Sequence, residues 1–149
     1  MRILIINPGA TSTKIAVYED ETEIYQESIS HAQDVISGYA HIIEQLPMRE
    51  TLIRDALARA GYAVASFHAV CSRGGLLRHI PSGTYAISEA VIYDIEHPPF
   101  GEHASSLGPV IAWSIAKEAN IPAYLVDPVS VDEMQPLARV SGLKGMERE

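Results

Sequence analysis

Cysteine is almost missing from this chain: Cys71 stands alone, so no internal disulfide can form. An excess of positive charge is missing as well, with 11 Lys and Arg against 19 Asp and Glu and a formal net charge of −8. Nucleic acids and anionic membrane surfaces both select for basic faces, so neither is an expected partner, and positive charge meant for an anionic ligand has to be local. No apolar run approaches the roughly 20 residues that a bilayer span requires. The opening "MRILII" is too short for a signal peptide and runs straight into Asn7-Pro8-Gly9. Together these absences lead to the expectation of a cytoplasmic protein. Internal repeats, linkers and low-complexity stretches are also absent. What is present is 149 residues with 47% hydrophobic content, enough for one domain with a substantial core.

Three short runs, Arg2 to Ile6, Lys14 to Tyr18 and Glu23 to Ile29, read as strands of an antiparallel meander. From Ala32 to Ala60 the pattern is helical in two pieces, because Pro47 can open a helix but would break one at its middle. Ile53, Ala56, Leu57 and Ala60 share a face, and Gly61 is a natural stop. A β-like run follows at Phe67 to Ser72, and another at Thr84 to Ile87. Ser88 is placed to cap a helix that Pro98-Pro99 must end. A second helix, with Leu107, Ile111 and Ile115 at four-residue spacing, runs to Ala119; Pro109 fits only its first turn, so Ser105 or Ser106 is the expected cap. A last strand, "AYLVD", ends in Asp127. Three antiparallel strands followed by alternating helices and strands predict a mixed α/β sheet with flanking helices.

Four places offer chemistry. The bend "NPGATSTK" gathers Asn7, Thr11, Ser12, Thr13 and Lys14 between two strands, where unpaired N–H groups, hydroxyls and one ammonium can cradle a phosphate with its metal. It is not a Walker A loop, which needs a second glycine before the lysine and a helix after it. An ordinary hairpin with a surface lysine is the bland alternative. Arg73 closes a buried strand before Gly74 and Gly75, whose lack of side chains lets backbone approach a ligand while the arginine grips a carboxylate or phosphate; a surface arginine before a turn is the bland alternative. Glu102 and His103 stand at a helix start, which favours anions, or form a plain capping segment. Asp127 ends a strand where ligands bind in open α/β sheets, or simply forms the turn before Pro128. Cys71, inside an apolar β run, is expected in the core and not as a nucleophile, although Arg73 points to the same face.

Taken together, "INPGATSTKIAVYEDE", "SRGGLLRHIPSGTY", "GEHASSLGPVIA" and "IPAYLVDPVSVDEMQPLARVSGL" resemble, in order and spacing, the N-terminal half of the acetate and butyrate kinase family, its butyrate branch above all. The resemblance extends from Ile3 to Leu143. It implies the ribonuclease-H-like fold of the actin, sugar kinase and heat-shock chaperone superfamily, with residues 1–149 as the N-terminal domain of a two-domain kinase. It further implies ATP and Mg2+ as cofactors, and transfer of phosphate from ATP to a short-chain fatty acid carboxylate, butyrate or a branched analogue, giving an acyl phosphate, and the reverse. By the same resemblance Asn7, Thr11, Ser12, Thr13 and Lys14 hold phosphates, and Asn7 and Asp127 hold the metal. Arg73, Gly74, Gly75 and His103 meet the substrate, and Asp127, Arg73 and His103 act in catalysis.

The chain also departs from the family. Ala10 stands where serine is common, Ser72 where glycine is, Pro109 is unusual, and acetate kinases carry a histidine at the position of Arg73. Family members continue into a second domain that bears the adenosine pocket, so the 149 residues alone are expected to be inactive and to self-associate as a homo-oligomer through surface that domain would cover. Two readings remain at this stage: part of a carboxylate kinase, or a non-enzymatic domain that binds phosphate or pairs with itself. Val70, Leu76, Ile80 and Pro81 are the candidate walls of an acyl pocket.

Overall fold

The computed structural model describes residues 1–98 and 101–148. Alternating β-branched residues make β1 (Arg2–Pro8), β2 (Ser12–Glu19) and β3 (Thr22–Ser30), paired as the expected antiparallel meander. The helical stretch that follows is more broken than its periodicity predicts. A single turn, α1 (Gln33–Ile36), and a 3-10 turn at Ile42–Gln45 precede the one long helix, α2 (Leu46–Arg59). Pro47 lies in its first turn, where a missing N–H goes unnoticed, and Gly61 leaves it at φ 81°.

Next come β4 (Ala69–Arg73), β5 (Thr84–Ala86), α3 (Glu89–Glu96), α4 (Leu107–Ala119) and β6 (Ala123–Val126). Ser88 occupies the cap position of α3 but makes no side-chain capping bond, and α3 ends before Pro98; Pro99 lies outside the described residues. Asn120 closes α4 in the left-handed conformation at φ 54°. The strands form one sheet in the order β3-β2-β1-β4-β6-β5. Within it β1, β4 and β6 run parallel, and the rest pair antiparallel.

That topology has two consequences for function. The three parallel strands finish at one edge, so Pro8, Arg73 and Val126, with the loops after them, are neighbours there. The two faces of the sheet also differ. Leu4, Ile6, Ile15, Val17, Val70 and Leu125 are buried beneath Ile53, Ala56 and Leu57 of α2 and Leu107, Ile111 and Ile115 of α4. On the opposite face Ile3, Ile5, Tyr18, Cys71, Tyr124 and Val126 are only half-buried. Cys71 is therefore not a core residue: strand alternation gives the core its neighbours Val70 and Ser72 and leaves the thiol on the open face.

Helix α4 sits unusually close to the sheet at its start. A Cβ on Gly108 would stand 2.1 Å from Ser72 Oγ and 3.0 Å from Pro8 Cδ, so only glycine allows this approach. The turn before it is capped by His103, whose Nδ1 accepts the Ser105 N–H at 3.2 Å, and not by a serine. The serine hydroxyls face the loop after β4 instead: Ser105 Oγ accepts the Gly75 N–H and Ser106 Oγ the Leu76 N–H.

Candidate functional site

At the edge where β1, β4 and β6 end, the open face carries a row of side chains. Asn7 and Lys14 are direct cross-strand partners on β1 and β2, and both are exposed. Ile5 pairs with Cys71 and Ile6 with Ser72, so Asn7 and Arg73 follow as the next positions on their strands, and Arg73 is itself paired with Val126. Arg73 and Asp127 then flank a depression of about 370 Å³ floored by Ile5, Cys71 and Val126. Two residues singled out as separate strand ends thus share one apolar-floored hollow, with Asn7 and Lys14 beside it.

Asp127 has a double environment. It adopts φ 40°, its Oδ1 accepts the Gly83 N–H at 2.8 Å, and its own N–H donates to Gly83 O at 3.1 Å. One carboxylate oxygen therefore serves the turn, and the exposed side chain keeps the other for the hollow. Cys71 meets the same hollow, and burial raises the pKa of its thiol despite Arg73 nearby, so it serves as apolar floor and not as a thiolate.

The bend between β1 and β2 is tighter than its sequence suggests. Pro8 pairs with Thr13 and the Gly9 N–H donates to Ser12 O at 2.7 Å, leaving Ala10 and Thr11 as the tip. Its carbonyl oxygens turn inward. Thr11 O accepts the His31 N–H at 2.9 Å, while Gly9 O and Ala10 O accept from the Arg49 guanidinium at 2.8 and 3.0 Å. The N–H groups of Ala10 and Thr11 have no acceptor among the described residues, so the tip leaves two donors unused. Thr11 is exposed and Ser12 half-buried, but Thr13 is fully buried. Its Oγ1 lies 2.8 Å from His31 Nε2 and accepts from Arg49 at 3.2 Å, so Thr13 braces the bend from beneath and does not reach a ligand.

His103 and the glycines also differ from expectation. His103 lines a separate hollow with Ile42, Ile43, Ile95 and Pro98, on the helix-covered side of the edge and not beside Arg73. Its Nδ1 accepts from Ser105 N–H and bonds Ser105 Oγ at 2.7 Å, which places the proton of the neutral ring on Nε2. Gly74 has φ 104°, and a Cβ there would come 2.4 Å from Ser105 Cβ; Gly75 has given its N–H to Ser105. Gly74 is thus explained by packing against the α4 turn, and Gly75 by its φ of 108°. Of the expected acyl-pocket walls, Val70 faces the covered core and Pro81 is exposed. Leu76 and Ile80 line two other depressions.

Arg49, Gln45 and His31 were not among the sequence candidates, yet they hold the bend. Gln45, Arg49, Ile53 and Leu57 follow at four-residue intervals, so two polar residues interrupt an otherwise apolar helical stripe, and that interruption was the available signal.

No family model matches the sequence. Among solved structures the chain is similar to the acetate kinase of Porphyromonas gingivalis, with 15% identity, a TM-score of 0.56, and coverage of 96% of this chain and 41% of that one. The acetate kinase of Entamoeba histolytica matches with 15% identity, a TM-score of 0.52, and coverage of 97% and 39%. The fold is ribonuclease-H-like. This ribonuclease-H-like chain spans about two fifths of the length of either acetate kinase, and at such identity the likeness describes architecture. No helix among the described residues is long and apolar enough to cross a membrane.

Proposed function

We propose that this chain is the carboxylate-gripping, phosphate-holding part of a kinase that transfers the terminal phosphoryl group of ATP to a short-chain fatty acid, giving an acyl phosphate and ADP, and runs in reverse to make ATP. The observation that carries the reading is the hollow shared by Arg73 and Asp127, with its floor of Ile5, Cys71 and Val126. A short alkyl tail suits that floor, and the guanidinium suits the carboxylate head. The acid is already a nucleophile and needs no general base, so alignment and charge neutralisation are the whole task. Among such acids, butyrate and its branched analogues are the ones that the resemblance in sequence favours.

The residues also fit the two groups this chemistry needs. The free N–H groups of Ala10 and Thr11, with Lys14 on the adjoining strand, suit a polyphosphate. No cluster of three or more His, Cys, Asp or Glu that could cage a metal occurs among the described residues, and a lone carboxylate is what Mg2+ uses when phosphate oxygens complete its shell. Asp127 would hold it, with Asn7 two strands away at the same sheet edge. Bound there, Mg2+ would neutralise charge on the phosphate oxygens; Arg73 orients the acid and Lys14 offsets negative charge at the bend.

The test is MgATP-dependent hydroxamate formation, in the gene product that carries this chain, with acetate, propionate, butyrate, isobutyrate and isovalerate. Acyl hydroxamate with the four- and five-carbon acids is expected, and none with any acid overturns the reading. A second reading, a domain that binds phosphate and pairs with another copy without catalysis, draws support from the exposed apolar residues Leu137, Val140, Leu143 and Met146.

A further inference from the structure

Arg49 is a charge with no visible reason to be where it is. It has no solvent exposure, it forms no ion pair among the described residues, and burying an unpaired guanidinium is costly. Its surroundings explain how the cost is met. Nε and Nη2 donate to Gln45 Oε1 at 3.1 and 2.8 Å, and Nη2 donates also to Ala10 O at 3.0 Å. Nη1 donates to Gly9 O at 2.8 Å and Thr13 Oγ1 at 3.2 Å, with Ser12 O more distant at 3.5 Å. All five N–H groups are engaged, and the three backbone acceptors belong to one four-residue bend.

We propose that Arg49 is a positioning residue for anion binding: it pulls the carbonyls of Gly9, Ala10 and Ser12 inward, so that the Ala10 and Thr11 N–H groups face outward, and supplies the buried positive charge beneath the anion. This rests on the reading of the bend as a phosphate-holding loop. Peptide planes are rigid, so a carbonyl fixed on one side of the chain fixes the following N–H on the other. Gly9 O held inward therefore aims Ala10 N–H outward, and Ala10 O held inward does the same for Thr11 N–H. His31 completes the arrangement by taking Thr11 O with its backbone N–H. The missing carboxylate partner then has a purpose, because an acidic neighbour would cancel the field at the tip. The rest of the chain is acidic, with net charge −8, so this local cation outweighs its surroundings only by proximity.

Lysine would preserve the charge but not the device, since one ammonium cannot reach two carbonyls, a hydroxyl and an amide in the planar pattern of a guanidinium. The experiment titrates inorganic tripolyphosphate into the chain and follows the Ala10 and Thr11 amide resonances by NMR, for wild type, Arg49→Lys and Gln45→Met. Gln45→Met leaves the guanidinium in place but removes its anchor, and it keeps the proposal testable if Arg49→Lys does not fold. Wild type is expected to show saturable shifts at both amides. The variants should weaken binding at least tenfold, Arg49→Lys more than Gln45→Met, with the amide shifts in the absence of anion already moved. Equal affinity in a folded Arg49→Lys or Gln45→Met overturns the proposal, as does a wild type whose Ala10 and Thr11 amides ignore the anion. Loss of hydroxamate formation with anion binding intact counts against the kinase reading and leaves this one standing.

Discussion

Arg73 and Asp127 illustrate how much one residue's setting decides. Each lies at the end of a parallel strand, and each would be unremarkable alone. Asp127→Asn keeps the Gly83 N–H acceptor, so the turn should survive and any loss should be chemical. In the gene product that carries this chain it should lower kcat about 10²- to 10³-fold while changing the KM for the acid little, because its contribution grows as charge spreads over the phosphate oxygens. Arg73→Ala should raise the KM for the acid about tenfold and lower kcat as well, since a carboxylate clamp acts before the transition state too. Steady-state kinetics on both variants separates the roles, and near-normal turnover in Asp127→Asn would reduce it to a turn residue. His31 yields a prediction about pH. Burial first, and the Arg49 charge second, hold its pKa below the ordinary 6.5. The unfolded chain thus takes up a proton near pH 6.5 that the folded chain refuses, so stability should fall as pH drops from there until the folded ring also protonates. Urea midpoints at pH 7.5 and 5.5 should differ in wild type and converge in His31→Asn.

Among the elements, α4 has the most exacting fit. Its buried face of Leu107, Ile111 and Ile115 would hold it against the sheet with many starting positions, but Gly108 lets it come close enough for Ser105 and Ser106 to take the N–H groups of Gly75 and Leu76. Gly108→Ala should therefore destabilise the chain by about 1–3 kcal/mol through overpacking, measured by denaturant unfolding. The nearest obstacle is Ser72 Oγ, so Gly108→Ala combined with Ser72→Gly should cost less than the sum of the two single changes. Additive costs would place the strain elsewhere, on Pro8 or the Arg73 carbonyl. Strand β3 shows the opposite tolerance: it is an edge strand, its residues from Thr22 to Ser28 mostly exposed and Glu23 and Glu27 charged, which discourages pairing with another chain.

At the scale of the molecule, none of the described residues beyond Leu125 belongs to the buried hydrophobic cluster, yet the chain continues to a segment that exposes Leu137, Val140, Leu143 and Met146. We propose that this segment mediates the self-association expected from the sequence. Truncation after Gln135 should leave the unfolding midpoint nearly unchanged, because it removes surface groups together with the Arg139–Asp132 ion pair. Sedimentation velocity should show the 149-residue chain associating at high concentration and the truncated chain remaining monomeric. Identical sedimentation of the two would remove the segment from consideration.

Local signals along the chain were enough for the elements and much of their order. β-branched alternation set the meander, Pro47 and Gly61 set the ends of α2, and the spacing of Leu107, Ile111 and Ile115 set the buried face of α4; these signals are local and survive without the rest of the chain. Sequence likewise marked the small-residue bend and the strand-end Arg73 and Asp127 as polar groups at chain reversals. Which of them meet depended on how the strands are ordered in the sheet. The parallel placement of β4 and β6 put Arg73 and Asp127 on one hollow, while alternation along β2 turned Thr13 away from it and alternation along β4 brought Cys71 to its floor. The identity of the residue behind the bend was likewise a tertiary matter. Arg49 lies 36 positions from Thr13, and its meaning comes from carbonyls that point at it only after the hairpin and α2 have packed together. Local periodicity records which side of an element is apolar, whereas a site is made from polar groups of distant elements, whose convergence is fixed by the topology of the sheet.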